Sequence, residues 1–241
     1  MKKAFTLAEV LITLGIIGVV AALTIPVLIA NTRSLQYRSR FKKTISTLDQ
    51  AAKMNYAQHG FDYAGLTKKC GTNANSETPE TTQTICAIFN GNLTGATYFD
   101  KISQIPMVQN GNSSNYTAYS PYISGVSDLS TSHAYILSDG TIVAFYDSLG
   151  TKPCELPIGT ELQNYYYQTT GGGCFGFIDV NGTTLPNREV TCSVGSNSLT
   201  EKTCVVKNDA QHMTDIFPIR FHDQMVEPAT AAGRYILHTT K

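Results

Sequence analysis

The chain carries little charge and no excess of either sign. Of 241 residues, 18 are Lys or Arg and 18 are Asp or Glu, so the formal net charge is zero, and only 15% of residues are charged. Such a chain sets up no field toward a polyanion, so nucleic acid is not an expected partner. There is no tryptophan, and none of the six cysteines forms a C-x-x-C pair. That argues against zinc ribbons, thioredoxin chemistry and haem attachment, and the even cysteine count suits an oxidising compartment. The motifs H-E-x-x-H, G-x-S-x-G, G-x-G-x-x-G and the Walker loop are all missing. Five histidines are scattered at positions 59, 133, 212, 222 and 238. His212 and His222 stand near Asp215 and Asp223, but such pairs arise by chance in loops. Gly171 to Gly173 follow Tyr165 to Tyr167 without the strand-to-helix setting of a phosphate cradle. An enzyme is therefore not expected. A hydrophobic content of 42% argues against wholesale disorder.

What is present is concentrated at the N-terminus. Residues 5 to 30 read FTLAEVLITLGIIGVVAALTIPVLIA, with Glu9 the single charge. As a helix this run is about 39 Å long, enough to cross the apolar core of a bilayer. Two readings compete. Lys2 and Lys3 with Val20-Ala21-Ala22 resemble a cleavable secretory signal, whose removal after Ala22 releases a disulfide-stapled secreted binding protein. Alternatively the helix is retained in the membrane. Glu9 separates them, because a carboxylate in an apolar span either sits near the headgroups or needs a positive partner.

The stretch Ala4-Phe5-Thr6-Leu7-Ala8-Glu9-Val10-Leu11-Ile12 resembles the class III signal of type IV pilins and type II secretion pseudopilins. In that family a short basic leader is cut just before a Phe, the new N-terminus is methylated, and the fifth mature residue is Glu. The resemblance implies cleavage by a prepilin peptidase between Ala4 and Phe5, and it makes Glu9 the fifth mature residue. The family usually has Gly before the cut; here it is Ala4. Gly15, Gly18 and Pro26 also fall where the family tolerates glycines and a helix-breaking proline. The implied protein is a filament subunit held in the inner membrane by a single pass, with its C-terminal part periplasmic or extracellular. Its partners are the peptidase and other pilin or pseudopilin subunits. The α-amine of Phe5 on one subunit would pair with Glu9 of a neighbour, offsetting the helices by about 6 Å and neutralising a carboxylate that is costly to bury. Gly18 and Ala22, four apart, narrow one helix face for close packing. Pro26 lacks an N–H and predicts a kink or melted turn.

Beyond the span, Tyr37, Phe41, Ile45, Leu48, Ala52 and Tyr56 recur at spacings of 4, 4, 3, 4 and 4, the stripe of an amphipathic helix that Gly60 would end. The expected organisation is a leader over 1–4, a membrane or filament-core helix over 5–30, its amphipathic continuation over 31–59, and a β-rich extracytoplasmic domain over 60–241. Arg33, Arg38, Arg40, Lys42 and Lys43 form a basic collar, read as a solvated face or a contact to lipid phosphates or a neighbour's acids. On the positive-inside rule this collar favours a cytoplasmic domain; the cysteines and the leader favour the opposite face, and two independent signals outweigh one. A DNA-binding filament would use the same collar.

Residues 60 to 130 read as a long surface-loop region with short strands. His133 to Tyr146 is a hairpin around Ser138-Asp139-Gly140. Cys174 to Val180, Ile216 to Phe221 and Arg234 to His238 read as further strands. Helix first and strands after argue for an α+β fold with an antiparallel sheet, the pilin-like arrangement that the resemblance also implies. Cys70–Cys86, Cys154–Cys174 and Cys192–Cys204 are the pairs suggested by spacing, each stapling a loop for typically about 2–4 kcal/mol. No cofactor is expected. Asp179-Val180-Asn181-Gly182, Leu185-Pro186-Asn187 and Asp215-Ile216-Phe217 match a pattern common near the family's C-terminus, where some pseudopilins bind calcium. Their oxygens suit Ca²⁺, but D-x-N-G is also an ordinary turn and no bidentate Glu follows. Tyr116, Tyr119, Tyr122 and Tyr165 to Tyr167 are read as strand packing or subunit contacts.

Overall fold

The computed structural model describes residues 6–109, 112–117, 132–145, 154, 175–199, 201–207 and 214–239. One helix, α1 (Leu7–His59), dominates the N-terminal quarter. Thr6 caps its start. Gly60 ends it at φ 78°, donating its N–H to the Tyr56 carbonyl, a left-handed stop that glycine adopts at no steric cost. The helix runs through Pro26 unbroken, so the melted turn expected there is absent. Proline deletes one hydrogen bond, and the remaining bonds of the helix carry it past that position.

Among the described residues the chain then forms α2 (Ile85–Asn92), eight strands and α3 (Ala231–His238). The strands are β1 (Thr97–Phe99), β2 (Pro106–Gln109), β3 (Asn112–Asn115), β4 (His133–Ile136), β5 (Ile142–Phe145), β6 (Phe175–Asp179), β7 (Ile216–His222) and β8 (Met225–Pro228). Six of them build a fully antiparallel sheet in the order β1-β4-β5-β6-β7-β8, while β2 and β3 pair separately. The fold is α+β, as the order of elements predicts. The β4–β5 hairpin turns at Asp139-Gly140, with Ile136 opposite Ile142.

Both faces of the sheet are covered. Val143, Phe145, Ile178, Phe217 and Phe221 point into the main core with α1 and α2, and Ile142, Ala144, Phe177 and Ile216 into a second one with Ile102, Ile105, Met107 and Tyr116. This explains why the central strands read as continuous apolar runs rather than alternating ones. The second half of α1 lays Tyr37, Phe41, Ile45, Leu48 and Ala52 into the main core. Phe41 stacks on Phe217 with ring centroids 4.0 Å apart. Tyr56, expected on the same stripe, is half exposed, and Asn55 is fully buried instead. Its amide nitrogen donates to the Phe61 carbonyl at 2.8 Å, so the last turn of the stripe is polar and ties down the chain leaving the helix.

Two expectations are corrected. The described part of the 60–130 segment holds short strands as expected but is not a surface loop throughout: Phe61, Tyr63, Leu66 and the α2 run Ile85 to Phe89 are buried, and Thr84 caps α2 by accepting the Ala87 N–H at 3.0 Å. Arg234 to His238 is not a strand but the body of α3. Thr230 accepts the Gly233 N–H at 3.2 Å, and Ala231, Ala232 and Ile236 bury one face. A Thr cap and helical spacing outweigh the β propensity of Tyr235 and Ile236.

Candidate functional site

The first half of α1 is an apolar rod that the rest of the described chain does not cover. It is long and apolar enough to cross a membrane, and none of its most apolar stretch is buried. Leu7 is 79% exposed and Leu23 72%. Thr13, Thr24 and Thr32 turn their hydroxyls inward, donating to the carbonyls of Glu9, Val20 and Leu28 at 2.8–3.0 Å, so these polar groups are satisfied within the helix. A methyl group added at Gly15 or Gly18 would meet nothing within 4 Å. No contact inside the described chain therefore requires glycine at either position.

Glu9 closes a capping box with Thr6. Its carboxylate accepts from the Thr6 backbone N–H and the Thr6 hydroxyl, both at 2.8 Å, and the Glu9 N–H donates to the Thr6 hydroxyl at 3.3 Å. The sequence reading missed this second role, although T-x-x-E before an apolar run is its signature. Ala4 and Phe5 lie outside the described residues. Ala22, one turn from Gly18, and Pro26 stay on the exposed helix.

The basic collar is engaged with its own domain. Arg40 donates to the Val180 carbonyl at 3.1 Å, Lys42 to the Thr239 carbonyl, and Lys43 pairs with Asp139 at 3.0 Å. Arg38 is buried. Arg40, Lys42 and Lys43 thus tie the helix to the end of β6, the C-terminal end of α3 and the β4–β5 turn, while the Lys43 side chain stays exposed. A DNA-binding use would have to break those contacts.

The D-x-N-G and D-x-F segments meet at the end of β6 and the start of β7. Asp179 and Asp215 are both fully buried. Asp179 Oδ1 accepts the Asn181 and Gly182 N–H groups at 3.0 Å each, and Oδ2 accepts the Tyr116 hydroxyl at 2.6 Å. Asp215 accepts the Arg188 N–H at 2.7 Å and the Asn187 N–H at 3.0 Å. Gly182 has φ 67°, and a Cβ there would lie 2.2 Å from the Gly140 carbonyl oxygen; the turn requires glycine. Burial raises the Asp215 carboxyl to about 6. Burial, and then the neighbouring Asp215 charge, pushes Asp179 well above the usual range. The residues do not fit Ca²⁺. The carboxylate oxygens already face N–H and O–H donors. The Asn181 amide nitrogen occupies the centre of the remaining oxygens, 2.9 Å from the Thr184 carbonyl, 2.8 Å from the Leu185 carbonyl and 3.4 Å from Asp215. The constellation is a structural clasp between β6, β7 and the 180–190 turn.

His222 does not lie in a loop. It ends β7, with Nδ1 2.9 Å from Asp223 and Nε2 3.4 Å from Glu227, which also pairs with Arg220. Asp49 of α1 accepts the Val226 N–H at 2.6 Å beside it. Burial alone would lower the His222 pKa, but Glu227 and Asp223 together raise it, and Glu227 is held at about 2, chiefly by His222. His212 lies outside the described residues.

Cys70–Cys86 and Cys192–Cys204 are disulfides, as spacing suggested. Cys154 is buried, and Cys174 lies outside the described residues. So do Gly171 to Gly173, Tyr119, Tyr122 and Tyr165 to Tyr167, whereas Tyr116 is a buried core residue. Comparison with family models, curated proteins and solved structures finds no significant match to this chain.

Proposed function

We propose that the chain is a structural subunit of a type IV pilus or type II secretion pseudopilus, processed between Ala4 and Phe5 and assembled through the first half of α1. The observation that carries this reading is the division of α1. Its second half is locked into the core by Phe41, Leu48 and Asn55, while its first half offers an uncovered apolar surface with glycines that no internal contact explains. A bilayer covers such a surface before assembly, and other helices cover it afterwards. Close packing at Gly18 and Ala22 brings backbones together, where dispersion and helix contacts drive association.

Glu9 has a role in both environments. In the single chain it satisfies the helix's first N–H groups through Thr6. In the filament it would accept the α-amine of a neighbour's Phe5, which fixes the stagger and cancels its charge. The collar's ties to Val180, Thr239 and Asp139 hold the domain at a set angle to the rod. No turnover belongs to this reading.

Mass spectrometry of the mature N-terminus, on separated membrane and secreted fractions, tests it. A membrane-bound chain starting at methylated Phe5 is expected. A soluble chain starting at Leu23 would overturn the reading in favour of a secreted domain.

A further inference from the structure

We propose that the groove between α2 and the edge strand β1 binds an uncharged, hydroxyl-rich ligand of the oligosaccharide class. This inference is independent of the filament reading. The groove is a cavity of about 720 Å³, inside the range of roughly 300–1,000 Å³ usual for small-molecule clefts. The C-terminal turns of α2, the connection 93–96 and β1 form its walls, with Tyr135 of β4 behind them.

Three features set the ligand's chemistry. First, no carboxylate, ammonium, guanidinium or imidazole lines the groove. Its ionisable groups are the Tyr98 and Tyr135 phenols, a type neutral below a pH of about 10, and burial pushes Tyr135 further up. A phosphate, a carboxylate or an amine would lose water there and gain no counter-charge. Second, the surface on offer consists of neutral hydrogen-bonding groups. Asn75, Thr94 and Thr97 are exposed, and among the described residues none of the three side chains has a hydrogen-bond partner. One amide and two hydroxyls both donate and accept, which is what the hydroxyls of a sugar require. Third, the wall behind is already satisfied and therefore rigid. Asn90 donates to the Ala74 and Glu77 carbonyls at 2.6 and 2.9 Å and accepts the Tyr135 hydroxyl at 2.8 Å. Gly95 stands at φ 76°, a conformation that suits glycine. It and Gly91 put no side chain into the cavity, so a ring can approach the backbone.

An extended peptide is the competing occupant, because β1 has a neighbour, β4, on one side only. However, β1 is three residues long, which gives an added strand too few main-chain bonds to hold it. A smaller cavity of about 240 Å³ adjoins at Leu93 and Thr94. Its two charges, Lys43 and Asp139, are paired with each other at 3.0 Å. Two adjoining spaces without a net charge suit an oligomer rather than a single ring.

The test uses the full chain in micelles of a zwitterionic detergent, since a glycoside detergent would compete. Maltohexaose, cellohexaose and chitohexaose are the probes, three neutral oligomers of different linkage and substituent. Saturation-transfer NMR at millimolar ligand should show transfer from protein to at least one of them. The variant with Asn75→Ala, Thr94→Ala and Thr97→Ala should weaken that binding at least about tenfold, since each net hydrogen bond is worth roughly two- to tenfold. Thr94→Trp, a single exposed position whose ring would fill the groove, should abolish it and keeps the test open if the triple variant misfolds. Absence of transfer to all three hexaoses overturns the proposal, as does equal transfer to wild type and to folded Thr94→Trp. So does binding of an uncharged Thr-Val repeat peptide where the hexaoses fail, which would make the groove a strand-addition site.

Discussion

Asp179 and Asp215 hold more protons in the folded chain than they would unfolded, because burial disfavours both charges. A carboxyl raised in the folded state contributes stability that is fully present below its unfolded pKa and is lost as pH climbs through the folded one. For Asp215 the loss runs from 3.8 to about 6, and for Asp179 it continues higher. His222, also raised, contributes stability present below its unfolded value near 6.5 and lost as pH passes its folded value. The three effects share a sign, so the melting temperature should fall between pH 5 and pH 8. Asp179→Asn keeps an oxygen for the Asn181 and Gly182 N–H groups and removes one buried charge. It should flatten that fall and raise the melting temperature at pH 8. His222→Gln should lower stability more at pH 6 than at pH 8.5. Both are read by thermal melts across buffers, and a pH-independent wild type would contradict the assignment. Part of this was legible from sequence. D-x-N-G announced a turn, and its Gly182 does sit at positive φ. The depth of Asp215 was not legible, because its partners Asn187 and Arg188 lie 28 and 27 residues away in the chain. Asp49 was missed beside His222 for the same reason; Glu227 is close in the chain but comes beside His222 only through the β7–β8 pairing.

At the scale of elements, the boundary inside α1 decides what the protein can do. The stripe from Tyr37 to Ala52 was readable because five apolar residues at helical spacing leave no competing period. The β4–β5 hairpin and the strands β6 and β7 were readable for a related reason: short β-rich runs separated by turn residues. Two short helices were not. Each of α2 and α3 is eight residues long, about two turns, and that is too short to display a period against a background of Ile, Phe and Tyr. Their signals were the caps, Thr84 and Thr230, each three residues before the N–H it accepts. Thr84→Ala should therefore cost about 1 kcal/mol, typical for a lost N-cap, seen as a lower urea midpoint at unchanged slope. Phe41→Ala should cost more, about 3–5 kcal/mol, because it empties the place where α1 stacks on Phe217. If Phe41→Ala unfolds at the wild-type midpoint, the second half of α1 is not held by that contact and the rod is not rigidly joined to its domain.

For the whole molecule, the two halves of α1 make opposite demands on a mutation. A change in the core half should be felt in stability and a change in the exposed half in association, and this separation is itself measurable. Gly18→Leu adds a large side chain where the single chain has open space. It should leave the melting curve of detergent-solubilised protein unchanged, yet reduce crosslinked multimers in membranes severely, since close helix approach depends on small residues. Glu9→Leu removes the carboxylate that would set the stagger in the proposed filament and also the Thr6 capping box. Glu9→Gln discriminates between these roles, because its amide oxygen can still accept the Thr6 N–H while offering no charge to a neighbour's amine. The expected order of filament incorporation beside wild type is wild type first, with Glu9→Gln and Glu9→Leu both far below it. Equal incorporation of wild type and Glu9→Gln would mean that the carboxylate's charge plays no part in register and that Glu9 is only a helix cap. Assembly would then rest on the apolar face and Gly18 alone.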